Sequence, residues 1–187
     1  ALKSDGSVKA WGNSDYGGSD PGLTSGVVTI FSNYYAFAAL KSDGSVKAWG
    51  DSSYGGIDPG LNSSVVTIFS TRNAFAALKS DGSVKAWGNS DYGGSDPGLT
   101  SGVVTIFSTG NAFAALKSDG SVKVWGNRRL GRDSDYGGSD PGLTSGVVTI
   151  FSTENAFAAL KSDGSVTTWG TIGAGGSDPG LTSGVVT

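Results

Sequence analysis

Three kinds of apolar segment return along the chain in a fixed order. Written from Val65, one unit reads "VVTIFSTRNAFAALKSDGSVKAWGNSDYGGSDPGLTSG". The segment "VVTIFS" (Val65–Ser70) is β-branched, aromatic and uncharged, which predicts a strand. "AFAALK" (Ala74–Lys79) reads as a second strand, reached through the short turn "TRN". "SVKAWG" (residues 83–88) reads as a third, reached through "SDG", whose Asp-Gly pair favours a hairpin. The polar stretch "NSDYGGSDPGLTSG" then links to the next copy and is rich in turn residues. No segment shows helical periodicity with caps. The first two strands are apolar at nearly consecutive positions, which predicts that both of their faces are covered.

The unit recurs. "ALKSDG" begins at Ala1, Ala39, Ala77, Ala115 and Ala159, with offsets of 38, 38, 38 and 44. The last offset contains a six-residue insertion, residues 128–133, within "VWGNRRLGRDSDYGG". Residues 1–187 are therefore expected to form a single repeat domain with repeats starting at 1, 39, 77, 115 and 159. Small antiparallel sheets buried on both faces and repeated at this interval suit blades packed around an axis. The expected fold is all-β, a β-propeller of short three-stranded antiparallel blades with five repeats visible. A β-hairpin solenoid is the alternative. The chain begins in a second strand and ends with "GVVT", the start of a first strand. A circular array would let residues 185–187 dock beside the N-terminal strands and close the ring. The join lacks a counterpart of "IFSTRNAFA", so a piece of a larger ring or array stays open as a reading.

Composition narrows the chemistry. With 187 residues the chain is long enough for a proper core. It has no Cys, His or Met, which removes disulfides, thiolate and imidazole metal sites, and nucleophile–base pairs built on His or Cys. Thirteen Lys and Arg against sixteen Asp and Glu give a net charge of −3, so no basic footprint points to nucleic acid. No apolar run approaches the ~20 residues of a membrane span. The first residues are not a signal peptide and start in mid-repeat, so the mature N-terminus is expected upstream. A cysteine-free chain fits an extracellular or cell-surface setting without fixing the compartment.

The stretch "FAALKSDGSVKAWGNSDYGG" resembles the regulator-of-chromosome-condensation repeat, with its A-L-x-x-D-G-x-V-x-x-W-G core. The short unit, with "SGVVTI" leading into the next copy, is similar in length to the bacterial propeller-type β-lactamase inhibitor protein. The resemblance covers essentially the whole chain and implies a propeller. Both relatives have seven blades, so five repeats leave ring size open. For function it implies little, since propellers of this kind include exchange factors, inhibitors and surface proteins. The inhibitor is understood to bind through loops on one face, but its aromatic-rich loops are matched here only by Tyr34 and Tyr35. The inhibitor's activity, chromatin duties and GTPase exchange are not carried over.

The fixed positions read as structure. Trp11, Trp49, Trp87, Trp125 and Trp169 occupy one position on the third strand, where a large aromatic fills space between blades. Asp5, Asp43, Asp81, Asp119 and Asp163 of "SDGS" read as turn residues that bond their own backbone. The "DPG" of the link reads as a turn with Pro at its second position. "DYGGSD" lacks the ligand alternation and closing Glu of a calcium loop, and "GNSDYGG" lacks the Lys-Ser/Thr of a phosphate loop. No metal or cofactor is expected, and no carboxylate pair stands apart from its repeated copies, so no enzymatic activity is expected.

The variable positions carry the functional expectation. The turn between first and second strands reads "NYY" (Asn33, Tyr34, Tyr35), then "TRN", "TGN" and "TEN", exchanging Tyr34, Arg72, Gly110 and Glu154. A second variable zone follows the third strand, where the insertion places Arg128, Arg129 and Arg132. Chain direction puts both zones on one rim and the constant "SDGS" turns on the other. Tyr and Arg are enriched at interface hot spots. The expected function is a non-catalytic binding or scaffold module that presents a variable loop face to a protein or glycan. Asn33, Tyr34, Tyr35, Arg72, Glu154, Arg128, Arg129 and Arg132 are its candidate binding residues. An inserted Arg pairing with Glu154 is one use of the insertion, and a basic knob for an acidic partner is another. The alternative is a structural segment of a surface or filament-forming protein, since "VVTIFS" would pair with another chain if the ring did not close.

Overall fold

The computed structural model describes residues 1–127 and 135–186. Every complete copy of the repeat becomes one antiparallel three-stranded sheet, ordered as in sequence. The blades are β1 (Val27–Ser32), β2 (Ala36–Lys41) and β3 (Val46–Gly50); β4 (Val65–Ser70), β5 (Ala74–Lys79) and β6 (Val84–Gly88); β7 (Val103–Ser108), β8 (Ala112–Lys117) and β9 (Val122–Gly126); β10 (Val147–Ser152), β11 (Ala156–Lys161) and β12 (Val166–Gly170). The incomplete first repeat contributes a Leu2–Val8 bridge, the counterpart of the Leu40–Val46 pair between β2 and β3.

The two faces of each middle strand go to different neighbours. Ala36, Ala38 and Leu40 of β2 share an apolar cluster with Val65, Ile68, Phe75, Ala77 and Trp87 of the following blade. The next two interfaces repeat this pattern with Ala74, Ala76 and Leu78 against Phe113 and Trp125, then Ala112, Ala114 and Leu116 against Phe157 and Trp169. Small residues from one blade thus receive large ones from the next, which fills the gap between sheets. Each Trp also stacks on the Phe of its own blade, with centroids 5.1–5.3 Å apart. The fixed Trp position is therefore a blade-packing position, except at Trp11, which is 73% exposed.

The expectation of cover on both faces holds for the middle strands and fails for the first. β5 is buried at all five positions before its lysine, whereas β4 alternates buried with exposed or half-buried positions. First strands lie innermost: those of neighbouring blades run close to one another, and a bulge after each leading valine turns Val28, Val66, Val104 and Val148 outward. An innermost strand borders the axial opening, so one of its edges meets no further sheet. The outer edge of each blade is covered by the link instead. Val46, Val84, Val122 and Val166 donate their N–H to Leu61, Leu99, Leu143 and Leu181 of the link. Lys47 and Lys85 pair with Asp58 and Asp96 at 3.0 Å, so the "DPG" aspartate both shapes its turn and anchors the link.

Among the described residues the architecture is a partial propeller: four complete blades and an incomplete first repeat, with no closed sheet. Among the described residues, Val185 and Val186 of the segment expected to dock on the N-terminal strands make no backbone hydrogen bond to them. Val185 donates instead to Gly164 of its own repeat at 3.1 Å, as every earlier first strand does to the preceding "SDGS" turn, and Val186 is 87% exposed. Thr187 lies outside the described residues.

Candidate binding face

Antiparallel order sends the first-to-second turn and the exit of the third strand to the same rim, and hydrogen bonds tie them there. Asn33 Nδ2 donates to the Tyr54 carbonyl at 2.7 Å, and Thr71 Oγ1 to that of Tyr92 at 2.9 Å. Thr109 and Thr153 repeat the bond to Tyr136 and Ala174 at 3.1 Å. The N–H groups of Asp51, Asn89, Asn127 and Thr171 donate to Tyr35, Asn73, Asn111 and Asn155. Both variable zones therefore share one rim.

Within that rim the four exchanged residues form a single row. Tyr34 N–H donates to Arg72 O at 3.0 Å, Arg72 N–H to Gly110 O at 3.0 Å, and Gly110 N–H to Glu154 O at 2.8 Å. The bonds use backbone only, so side chains at these positions are released from structural duty. Those side chains then interact along the row. The Arg72 guanidinium lies 6.0 Å from the Tyr34 ring centre, within cation–π range. In the other direction it spans Gly110 and meets Glu154 at 2.6 Å. The span exists because Gly110 has no side chain; a Cβ there would strike the Glu154 carboxylate. Both ends of the pair are over a third exposed, so it contributes about 0–1 kcal/mol.

The rim is chemically graded. Around the first complete blade it is aromatic: Tyr35 lies 5.4 Å from Tyr16, 6.3 Å from Tyr34 and 4.5 Å from Tyr54, ring centre to ring centre. Tyr16 and Tyr34 are 50% and 66% exposed. Toward the later blades it becomes a polar hollow of about 730 Å³, lined by Arg72, Tyr92, Asn111, Asn127, Tyr136 and Asn155. Asn111 Nδ2 donates to Asn155 Oδ1 at 3.2 Å across neighbouring blades. Arg72 Nε and Asn73 Oδ1 are buried without a hydrogen-bond partner among the described residues.

Of the residues expected from sequence to bind, the structure brings Asn33, Tyr34, Tyr35, Arg72 and Glu154 together on this rim. Arg128, Arg129 and Arg132 lie outside the described residues. Glu154, offered above as a partner for an inserted Arg, meets Arg72 at 2.6 Å, and its pairing with the insertion lies outside the described residues. Sequence reasoning did not single out Tyr16, Tyr54, Tyr92 and Tyr136. Their signal was present: one Tyr recurs in the link immediately after the third strand, which chain direction already placed on this rim.

The opposite rim is built differently. In each "SDGS" turn the Asp carboxylate accepts the backbone N–H and the hydroxyl of the following Ser, as in Asp81 to Ser83 at 2.9 and 2.6 Å. Those bonds lower the pKa of Asp5, Asp43, Asp81, Asp119 and Asp163, with Asp119 reaching about 2. The turn glycine then passes its carbonyl to the next blade, Gly44 O to Val65 N at 3.0 Å. These carboxylates are committed to turns.

Residues 27–55, the first complete blade and its exit, match the regulator of chromosome condensation (RCC1) repeat. No curated protein sequence matches the chain. Solved structures similar to it include Prp20p from Saccharomyces cerevisiae, with TM-score 0.53 and 21% identity over 77% of this chain and 43% of that one. Yeast RCC1 (Prp20) with Kap60 bound gives TM-score 0.54 and 23% identity over 77% and 42%. The CRINKLY WD40 ectodomain of the Arabidopsis thaliana receptor kinase ACR4 gives 0.57 and 14% over 86% and 55%. The chain spans 42–55% of the length of these structures. The likeness is one of fold, and it agrees with the sheet order and blade packing above. The chain thus carries, in its first complete blade, a segment that matches an RCC1 repeat, and its fold is that of a partial β-propeller.

Proposed function

We propose that the chain is a non-catalytic binding module whose variable rim docks a protein segment. The observation that carries this reading is the backbone-bonded row Tyr34–Arg72–Gly110–Glu154, where the fold is secured without using the side chains. Beside that row stand Tyr16, Tyr35 and Tyr54, large amphipathic rings that lose little entropy when they anchor a partner. The adjoining hollow offers amide and hydroxyl groups to an extended backbone. A protein is favoured over a glycan by the Tyr–Arg composition of the rim. Prp20p is described with its binding to Gsp1p and histones, and yeast RCC1 is seen with Kap60 bound, so propellers of similar fold take protein partners.

The test is selection of random peptides displayed on phage against the wild-type chain, with a glycan array run in parallel. Selected peptides are expected to lose binding to Tyr34→Ala and Tyr35→Ala and to keep it with Asp43→Asn and Asp81→Asn on the opposite rim. Equal tolerance of both rims sinks the proposal. Capture of glycans with no peptide selected replaces a protein partner by a carbohydrate one.

A further inference from the structure

One copy of the link departs from the others twice within three residues. Where residues 23–26, 99–102, 143–146 and 181–184 read Leu-Thr-Ser-Gly, the link between β3 and β4 reads Leu61, Asn62, Ser63, Ser64. The two exchanges together make an Asn-x-Ser triplet, and no other asparagine of the chain has Ser or Thr two positions on. Asn-x-Ser/Thr without an intervening Pro is the acceptor pattern for an N-linked oligosaccharide. A triplet is short enough to arise by drift, so its surroundings decide what it is worth.

Asn62, Ser63 and Ser64 lie outside the strands, and all three are exposed. The backbone around them is held in place. Leu61 O accepts from Val46 N–H at 2.8 Å, Ser64 O from Ser80 N–H at 2.9 Å, and Val65 N–H donates to Gly44 O at 3.0 Å. Gly44 and Ser80 belong to "SDGS" turns, so the triplet stands on the constant rim, opposite the variable one. The Asn62 amide makes no hydrogen bond among the described residues. Other asparagines are committed: Asn13 and Asn89 cap short turns, Asn111 bonds to Asn155, and Asn73 is buried. An exposed amide without structural duty can carry a large substituent while the packing stays as it is.

Ser64 supplies the second observation. Its φ of +69° is the left-handed region that Gly26, Gly102, Gly146 and Gly184 hold in the other copies. Its carbonyl does what theirs do, as Gly102 O accepts from Ser118 N–H at 2.9 Å. The side chain adds nothing to that task. Among the described residues its hydroxyl donates only to the exposed Ser63 hydroxyl, at 3.3 Å. A backbone position that favours glycine thus carries a hydroxyl with no internal use. The acceptor pattern is what calls for it, since Asn62 is an acceptor only with a hydroxyl two residues on.

We infer that Asn62 is an N-glycosylation site, charged from a lipid-diphosphate-linked oligosaccharide. Asn62 Nδ2 bonds to C1 of the first sugar as the C1–O bond to the diphosphate breaks. The lipid diphosphate leaves with that electron pair, and one amide proton passes to a base of the transferase. A glycan there stands on the constant rim and leaves the row Tyr34–Arg72–Gly110–Glu154 open. The inference is independent of the function proposed for that row. It implies that the chain passes through a compartment that holds the transferase.

The test is expression of the full chain through the secretory pathway of a eukaryotic host, with intact mass read before and after peptide-N-glycosidase. The wild-type chain is expected to exceed 18.7 kDa by one oligosaccharide. The enzyme is expected to remove that excess and to convert Asn62 to aspartate. Chains with and without the glycan are expected to unfold in the same cooperative transition. Asn62→Gln and Ser64→Gly are each expected at the bare mass, and Ser64→Gly folds because the other copies carry glycine there. Ser64→Thr is expected to keep the glycan. A wild-type chain found at the bare mass overturns the inference, as does a glycan that persists in Asn62→Gln. A glycan confined to chains that lack the unfolding transition overturns it as well, because the folded protein then excludes it.

Discussion

The two rims of this molecule perform the same structural task by different means. On both, successive blades are joined by backbone hydrogen bonds: Gly44 O to Val65 N on one, Tyr34 N to Arg72 O on the other. On the "SDGS" rim the side chains are consumed in making the turn, Asp accepting from Ser twice over, so the sequence there is fixed. On the opposite rim the joining residue contributes only N–H and C=O. Tyr, Arg, Gly and Glu serve equally, and what varies among the blades is what a partner would meet. Sequence variation within a repeat protein thus marks positions whose structural role is met by backbone alone, and those positions are free to acquire a function.

The strongest break in that comparison is to disturb what both rims depend on. Phe113 is fully buried and stacked on Trp125 at 5.1 Å. Phe113→Ala is expected to cost about 3–5 kcal/mol in urea unfolding, far beyond any single change on either rim.

Acid acts on the constant rim collectively. Hydrogen bonds from the Ser121 hydroxyl and then its N–H, with Lys117 nearby, hold Asp119 at about 2 against an ordinary 3.8, and the four equivalent carboxyls shift the same way. A folded pKa below the unfolded one gives stability that is complete above the unfolded value and is lost as pH falls through 3.8 toward 2. Melting temperature is therefore expected to drop across that window, and less steeply in Asp119→Asn. A flat profile there would mean that the turns do not rest on ionised aspartate.

One residue departs from the pattern of the constant rim. Ser64 has φ +69°, where Gly26, Gly102, Gly146 and Gly184 stand in the other repeats. An L-residue in that region costs about 1–2 kcal/mol, partly offset by the freedom glycine has when unfolded. Ser64→Gly is expected to gain about 0.5–1 kcal/mol in the same urea measurement. The smallest effect belongs to the variable rim. Arg72→Ala removes the Glu154 pair and is expected to change stability by about 0–1 kcal/mol.

Much of this was legible in the sequence because repetition averages out ambiguity. The strands expected at Val65–Ser70 and Ala74–Lys79 are β4 and β5, and the third begins one residue later than expected, at Val84. The shared rim followed from chain direction alone. What stayed hidden depends on relations that no local pattern records. The exposure of Val28 and its counterparts comes from a bulge and from lying nearest the axis, which the run "VVTIFS" does not encode. Arg72 and Glu154 are 82 positions apart and meet only because an intervening blade carries glycine. The terminal halves looked able to close a ring, but whether the last first strand reaches segment 1–3 depends on summed curvature, a property of no single repeat.

The central claim is that the variable rim is free of structural duty and available for recognition. The binding isotherm of a selected peptide to the combined variant Tyr34→Ala, Arg72→Ala, Glu154→Ala tests it most directly, with unfolding followed on the same sample. Peptide binding is expected to be lost while stability falls by less than Phe113→Ala alone produces. Undiminished peptide binding, or a loss of stability as large as that core substitution, would contradict the account.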